Sequence, residues 1–145
     1  MKFSIERAAL VKAVSQAQSV VERRNTIPIL ANVLIEATPE GVSFRATDLD
    51  TEIVDRTVAQ VERPGATTVS ASMLNDISRK LPDGALVQLS LDSASQRLSV
   101  QAGRSNFNLA TQPREDFPLM SSSEYGANFS APAGALRRLF DKSKF

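Results

Sequence analysis

The chain opens with the stretch Phe3-Ser4-Ile5-Glu6-Arg7-Ala8-Ala9-Leu10-Val11-Lys12-Ala13-Val14, and the same pattern begins again near its end as Phe129-Ser130-Ala131-Pro132-Ala133-Gly134-Ala135-Leu136-Arg137-Arg138-Leu139-Phe140. A shorter version lies between them, at Val69-Ser70-Ala71-Ser72-Met73-Leu74-Asn75-Asp76-Ile77. Each copy is typical of a β-strand that runs into an amphipathic helix. Such repeats predict an architecture built from one recurring unit. Because the last copy stops inside a helix at Phe145, we expect the chain to be the first part of a longer modular protein.

The length and composition predict a globular chain with one domain of ordinary size and a remainder. Of its 145 residues, 42% are apolar and 23% are charged. No apolar run approaches the ~20 residues that a membrane-spanning helix needs, and no signal peptide precedes the first strand, so we expect no membrane association. The absence of cysteine excludes disulfides and thiolate metal sites and favours a cytoplasmic location. The absence of histidine removes the commonest catalytic base.

Hydrophobic periodicity predicts an α+β fold that is internally duplicated. We expect helices at 7–21 and 72–81, and strands at 2–5, 29–36, 42–46, 51–58, 67–69, 85–91, 97–101 and 105–111. The order is strand, helix and three strands, followed by the same again, which favours helices on one side of antiparallel sheets. A serine-rich segment at 119–127 is typical of an interdomain linker.

The predicted helices share a polar, weakly basic face. Between Arg7 and Val21 there is no acidic residue, and the polar side chains away from the apolar stripe are Lys12, Ser15, Gln16 and Ser19. Cations follow in or after each helix, at Arg23, Arg24, Arg79, Lys80, Arg137 and Arg138. Short polar groups with a few cations suit loose, water-mediated contact with DNA phosphates. The same pattern is typical of a solvated helix face whose C-terminal cations favour the helix dipole, so both interpretations stay open.

Acidic residues alternate at Asp48, Asp50 and Glu52, with Asp55 further on. On one strand face they could form an oxygen-rich metal site, but no glycine-bearing calcium loop accompanies them, and an exposed acidic sheet face is the simpler interpretation. The sequence has no phosphate-binding loop and no nucleophile motif. We therefore expect no metal, no cofactor and no catalytic site. Carboxylate-dependent catalysis stays an alternative, although nothing singles out a pair of acids.

The strand predicted at 105–111 offers two interpretations. Phe107 and Leu109 share one face, and Arg97 and Arg104 are close in sequence. The strand either faces the core or lies at an edge, where it would pair with another subunit and pack its apolar pair across the contact.

Seven stretches in order resemble the first domain of the bacterial DNA polymerase III beta subunit, the sliding clamp family. They are Met1-Lys2-Phe3-Ser4-Ile5-Glu6-Arg7, Arg24-Asn25-Thr26-Ile27-Pro28-Ile29-Leu30-Ala31-Asn32, Ala46-Thr47-Asp48-Leu49-Asp50, Pro64-Gly65-Ala66-Thr67-Thr68-Val69, Leu81-Pro82-Asp83-Gly84, Gly103-Arg104-Ser105-Asn106-Phe107 and Asp116-Phe117-Pro118. The resemblance implies a first clamp domain at 1–118 and the truncated start of a second at 128–145, on either side of the linker.

The resemblance implies the DNA-clamp fold and a head-to-tail homodimeric ring that encircles double-stranded DNA and confers processivity on the replicative polymerase. It implies no catalysis. The partners would be DNA polymerase III and the clamp loader, whose docking pocket lies between the second and third domains and therefore outside this chain.

Individual residues can be matched to positions that contact DNA in the family. Arg24, in its Arg-x-Thr-x-Pro-Ile-Leu setting, matches a DNA-contacting arginine, and Arg79 matches a basic position at the end of the second helix. Ser72 stands where the family can carry a basic residue, so this contact would lack its charge.

Other residues match the subunit contact of the family. Phe107 and Leu109 match an apolar pair that is buried there against a third domain, and Arg104 and Arg97 match the cations that flank it. A non-enzymatic interaction module that uses an exposed edge strand stays the alternative function.

Overall fold

The computed structural model of the chain describes residues 1–21, 26–120 and 129–144. In chain order the elements are β1 (Lys2–Glu6), α1 (Arg7–Gln18), a 3-10 turn (Pro28–Ala31), β2 (Asn32–Thr38), β3 (Gly41–Thr47), β4 (Glu52–Thr57), β5 (Gln60–Arg63), β6 (Gly65–Ser70), α2 (Ala71–Lys80), β7 (Leu86–Asp92), β8 (Arg97–Ala102), β9 (Ser105–Gln112), a second 3-10 turn (Arg114–Asp116) and α3 (Ala133–Ser143).

The strands form one nine-stranded sheet in the order β4-β3-β2-β6-β9-β8-β7-β1-β5. Every neighbouring pair is antiparallel, as the sequence predicts. The two halves meet between β6 and β9, where the register joins Thr68 to Gln112 and Val69 to Thr111. This short joint leaves residues 105–110 of β9 paired with β8 along one edge and without a partner from β6 along the other.

The main core lies between the sheet and the two helices α1 and α2. Every second residue of a strand points toward the helices, and side chains at such positions are fully buried, for example Phe3, Phe44 and Leu89. Leu10 of α1 and Leu74 of α2 pack against them from the helices. Burying each such side chain stabilises the fold by about 1.5–3 kcal/mol, which explains why both helices lie on one side of the sheet, as predicted.

A smaller apolar group is buried on the opposite side of the sheet. Leu34 alternates with core residues of β2 and so points away from the helices, yet it is fully buried. Phe117, after the second 3-10 turn, is also buried and lies outside the main core. Arg114 anchors that turn by an ion pair between its Nη2 and Glu36 Oε1, 3.1 Å apart. The segment that follows β9 therefore reaches the outer face of the sheet and covers the part of it near Glu36.

Several predicted boundaries are wrong for local reasons. The first helix ends at Gln18, because the amides of residues 19–21 bond three residues back and tighten the chain into turns. The strand predicted at 29–36 begins at Asn32, because Pro28 starts a 3-10 turn. The first half also contains β5, which the sequence did not predict and which pairs with β1 at the edge of the sheet.

The alternating acids do not share one strand face, so that prediction is wrong. Asp48 lies in the turn before β4, where its Oδ1 accepts hydrogen bonds from two backbone amides of its own turn. Glu52 pairs with Arg45 at 3.0 Å, whereas Asp55 lies opposite Phe44 and therefore on the other face of the sheet. Across the described ranges, no three acidic side chains come together as metal ligands would.

No helix within residues 1–21, 26–120 and 129–144 combines the length and the apolar character needed to cross a bilayer.

Candidate nucleic-acid interface

The two helices are held side by side by a polar contact. Ser15 Oγ donates to Asn75 Oδ1 at 3.0 Å, and Asn75 Nδ2 donates to Gln18 Oε1. Asn75 is only 6% exposed, so these hydrogen bonds satisfy an amide that would otherwise be costly to bury. The contact therefore fixes which sides of α1 and α2 face outward. Asn75 carried no signal in the sequence beyond its place in the second helix.

The outward side of α1 is polar, as its sequence predicts. Lys12, Gln16 and Ser19 are exposed, and Ser15 is partly buried beside α2. This side of α1 has no carboxylate and one exposed cation, Lys12, so it offers weak attraction to phosphate and little repulsion. Arg23 and Arg24, which the sequence places just after this helix, lie outside the described residues.

The outward side of α2 has a polar start and a basic end. Ser72 Oγ lies 3.2 Å from the hydroxyl of Ser70, which caps the helix by accepting from the Met73 amide. Arg79 and Lys80 are exposed in the last turn. At 1.5 Å per residue, Ser72 and Arg79 are about 10 Å apart along the helix, so they would meet different parts of a bound molecule.

Arg79 is also tied to α1, because its Nη2 donates to Ser15 Oγ at 3.4 Å. Arg79 and Ser15 therefore form one continuous polar surface across the two helices. An exposed carboxylate, Asp76, lies on the same side of α2, three residues before Arg79 and four after Ser72. Asp76 is not among the predicted site residues, although its helical spacing from Ser72 and Arg79 places it on this side. Its carboxylate reduces the positive potential at the centre of the helix.

The third helix places its cations in solvent. Arg137 and Arg138 are exposed on α3, and Arg137 Nε lies 3.8 Å from Asp141 Oδ2 one turn later. An ion pair this exposed contributes little to stability, so both guanidinium groups are available to a partner.

The two apolar residues predicted at the subunit contact differ in their exposure. Phe107 and Leu109 lie on the same face of β9, opposite Val100 and Leu98. Leu109 is only 3% exposed and packs in the chain's own core, so the core-facing interpretation applies to it and it has almost no surface for a partner. Phe107 is 37% exposed and lies two residues nearer the hairpin turn, so it keeps surface for a partner.

The two cations assigned to the same contact lie at opposite ends of the β8–β9 hairpin. Arg97 begins β8, opposite Ala110, and Arg104 lies in the turn between the strands. Both are exposed, and the unpaired edge of β9 runs between them. The two arginines therefore flank both Phe107 and the unpaired backbone edge of β9.

Comparison with known proteins gives a consistent result along the whole chain. A family model described as "DNA polymerase III beta subunit, N-terminal domain" matches residues 1–121. The beta sliding clamp of Caulobacter vibrioides is 53% identical over 145 residues, which is 100% of this chain and 39% of that protein. The beta sliding clamp of Pseudomonas aeruginosa is 41% identical over 146 aligned residues, again 100% of this chain and 39% of the relative.

Solved structures agree in fold. Caulobacter crescentus pol III beta matches with a TM-score of 0.92 and 54% identity, over 98% of this chain and 38% of that one. A Pseudomonas aeruginosa sliding clamp bound to griselimycin matches with a TM-score of 0.92 and 41% identity, over 98% and 38%. The predicted DNA-clamp fold is thus confirmed. The chain spans 39% of the length of the curated relatives it matches, and since the family model covers most of it, the chain belongs to the DNA polymerase III beta subunit family.

Proposed function

We propose that this chain acts as the first part of a sliding clamp, a processivity factor that encircles duplex DNA without reading its sequence. The observation that carries the proposal is the outward surface shared by α1 and α2. It combines Lys12, Arg79 and Lys80 with short polar side chains, and it lies on a fold that matches sliding clamps. We propose that this surface faces the duplex inside the ring, and we call it the DNA wall.

In such a ring, topology replaces affinity. Each phosphate contact can be weak and exchangeable, because an enclosed duplex escapes only at an end or through an opened subunit contact. Weak contacts also suit movement along DNA, since no single ion pair has to be broken at large cost. A polymerase tethered to the ring stays at high effective concentration near the primer end.

Further residues extend the proposed DNA wall beyond the two described helices. Arg24 and Arg23 follow α1 in sequence, Ser72 would offer a hydroxyl to phosphate, and Arg137 and Arg138 would continue the surface into a second domain. We assign the domains to 1–118 and 128–145, with a linker at 119–127 that lies mostly outside the described residues.

We propose that the whole protein is a cytoplasmic head-to-tail homodimer that binds DNA polymerase III and the clamp loader and has no catalytic activity. At the subunit contact we assign packing to Phe107 and charge to Arg97 and Arg104. The docking pocket for polymerase and loader peptides would lie beyond this chain. The alternative, an interaction module that adds a strand to a partner's sheet, is favoured by one observation, the unpaired edge of β9.

A topological experiment tests the clamp proposal. The full-length protein is loaded by its clamp loader onto nicked circular DNA, freed of the loader by gel filtration, and then challenged by linearising the DNA. We expect retention on the circle at high salt and rapid loss after linearisation. Equal retention on circular and linear DNA would contradict encirclement, and salt-insensitive binding to a protein with no binding to DNA would support the interaction module.

A further inference from the structure

Arg7, the first residue of α1, binds the far end of α2. Its Nε donates to the carbonyl oxygen of Ser78 at 3.1 Å, and its Nη2 donates to that of Arg79 at 2.8 Å. Its Nη1 pairs with Asp83, and its backbone amide donates to the carbonyl oxygen of Ala85 at 2.9 Å. One residue therefore holds the last turn of α2 and the loop behind it.

The chemistry of helix ends explains this arrangement. The last four carbonyl groups of a helix have no partner within the helix, and together they form its negative end. The planar guanidinium of Arg7 can reach two of them at once, which a lysine ammonium cannot do with the same geometry. Arg7 thus caps α2 from another helix.

Arg7 does not stabilise α1, the helix that it begins. A cation at the start of a helix is unfavourable to the helix dipole, and the first turn of α1 has no acid to offset it. The Arg7 side chain is only 20% exposed, so its bonds to the carbonyl groups are poorly screened by water. Asp83, by contrast, is 92% exposed, so that ion pair contributes little.

The cap bears directly on a residue of the proposed DNA wall. Arg79 is held at its backbone by Arg7 and at its side chain by Ser15. We propose that Arg7 is a positioning residue for DNA contact, which fixes the last turn of α2 so that Arg79 and Lys80 keep a constant direction toward the duplex. The inference rests on the proposed clamp function.

The first measurement is amide hydrogen exchange on the full-length protein. Without the cap the last turn of α2 should open more often, so Arg7→Ala should speed exchange at residues 78–81 by about tenfold. Asp83→Asn is the control, because it removes only the exposed ion pair, and it should change exchange less than about twofold. Unchanged exchange in Arg7→Ala would overturn the cap.

The second measurement is the affinity for linear duplex DNA over a series of salt concentrations. Arg7→Ala should weaken binding by roughly three- to tenfold. In a background that already carries Arg79→Ala and Lys80→Ala, the same change should cost less than about twofold, because the groups it positions are gone. Full additivity would show that Arg7 contacts phosphate itself and would overturn the positioning role.

A charge-conserving variant separates geometry from electrostatics. Arg7→Lys keeps the cation but loses the planar fork, so we expect it to bind DNA as weakly as Arg7→Ala. Restoration of wild-type affinity by lysine would overturn the inference while leaving the clamp proposal intact. Equal retention of the loaded wild-type protein on circular and linear DNA would overturn the clamp proposal, and the exchange result would still decide whether Arg7 caps α2.

Discussion

Gly41 shows how a single residue closes the first hairpin of the sheet. It starts β3 with a φ of +144°, a backbone conformation that side chains rarely tolerate. A Cβ there would lie 2.7 Å from the carbonyl oxygen of Thr57 on β4. Glycine is therefore required both by the turn and by the close approach of the next strand.

We predict that Gly41→Ala lowers the free energy of unfolding by about 3 kcal/mol, through backbone strain and the clash with Thr57 together. Gly84→Ala is the matched control, because Gly84 also has a positive φ, +73°, but has no atom within 4 Å of the added Cβ. It should cost only about 1 kcal/mol. Denaturant titration of both variants measures the difference, and equal losses would mean that the Thr57 carbonyl group moves away freely.

At the level of elements, one face of β9 contributes a residue to the core and another to the surface. Leu109 pairs with Leu98 inside the core, whereas Phe107 pairs with Val100 near the hairpin turn. The strand alternation is the same for both residues and does not explain the difference in exposure. Leu109 lies next to the joint between β9 and β6, whereas Phe107 lies two residues further along the unpaired edge.

We predict opposite consequences for the two truncations. Leu109→Ala should lower the free energy of unfolding by about 2–5 kcal/mol, because it leaves a cavity in the core. Phe107→Ala should change the free energy of unfolding of the isolated chain by less than about 1 kcal/mol, but it should weaken the proposed dimer of the full-length protein by about 2–5 kcal/mol. Sedimentation of the dimer and denaturant unfolding separate these effects. If the Phe107→Ala dimer dissociated as the wild type does, Phe107 would not pack at the subunit contact.

At the level of the whole molecule, the distribution of charge matters more than its sum. The net charge is only +1. Arg79 and Lys80 are exposed on the helix side of the sheet, whereas Arg56 on β4 lies opposite Ser43 and so points to the other side. If DNA passes along the helices, Arg79 and Lys80 should affect DNA binding and Arg56 should not.

We predict that Arg79→Ala in the full-length protein lowers the slope of log K against log salt by roughly 1, and that Arg24→Ala does the same and slows loading with the fold intact. Arg56→Ala is the matched control, since it removes the same charge from the opposite side and should leave the slope unchanged. Binding to duplex DNA at several salt concentrations measures all three. A slope that responds equally to Arg56 and Arg79 would contradict a DNA path along the helices.

The sequence by itself determined the elements whose signal is local. The spacing of Leu10, Val14 and Ala17 predicts the buried stripe of α1, because helical periodicity is a property of neighbouring residues. The strand alternation, the α+β class and the family were likewise evident from short stretches in order.

Only the tertiary structure decided how distant segments meet. It showed that Leu109 belongs to the core while Phe107 stays exposed, and that Asp55 faces away from Glu52. It also showed that Arg7 caps a helix more than 70 positions along the chain. Such contacts depend on how the sheet and helices pack, which leaves no periodic trace in the residues that make them.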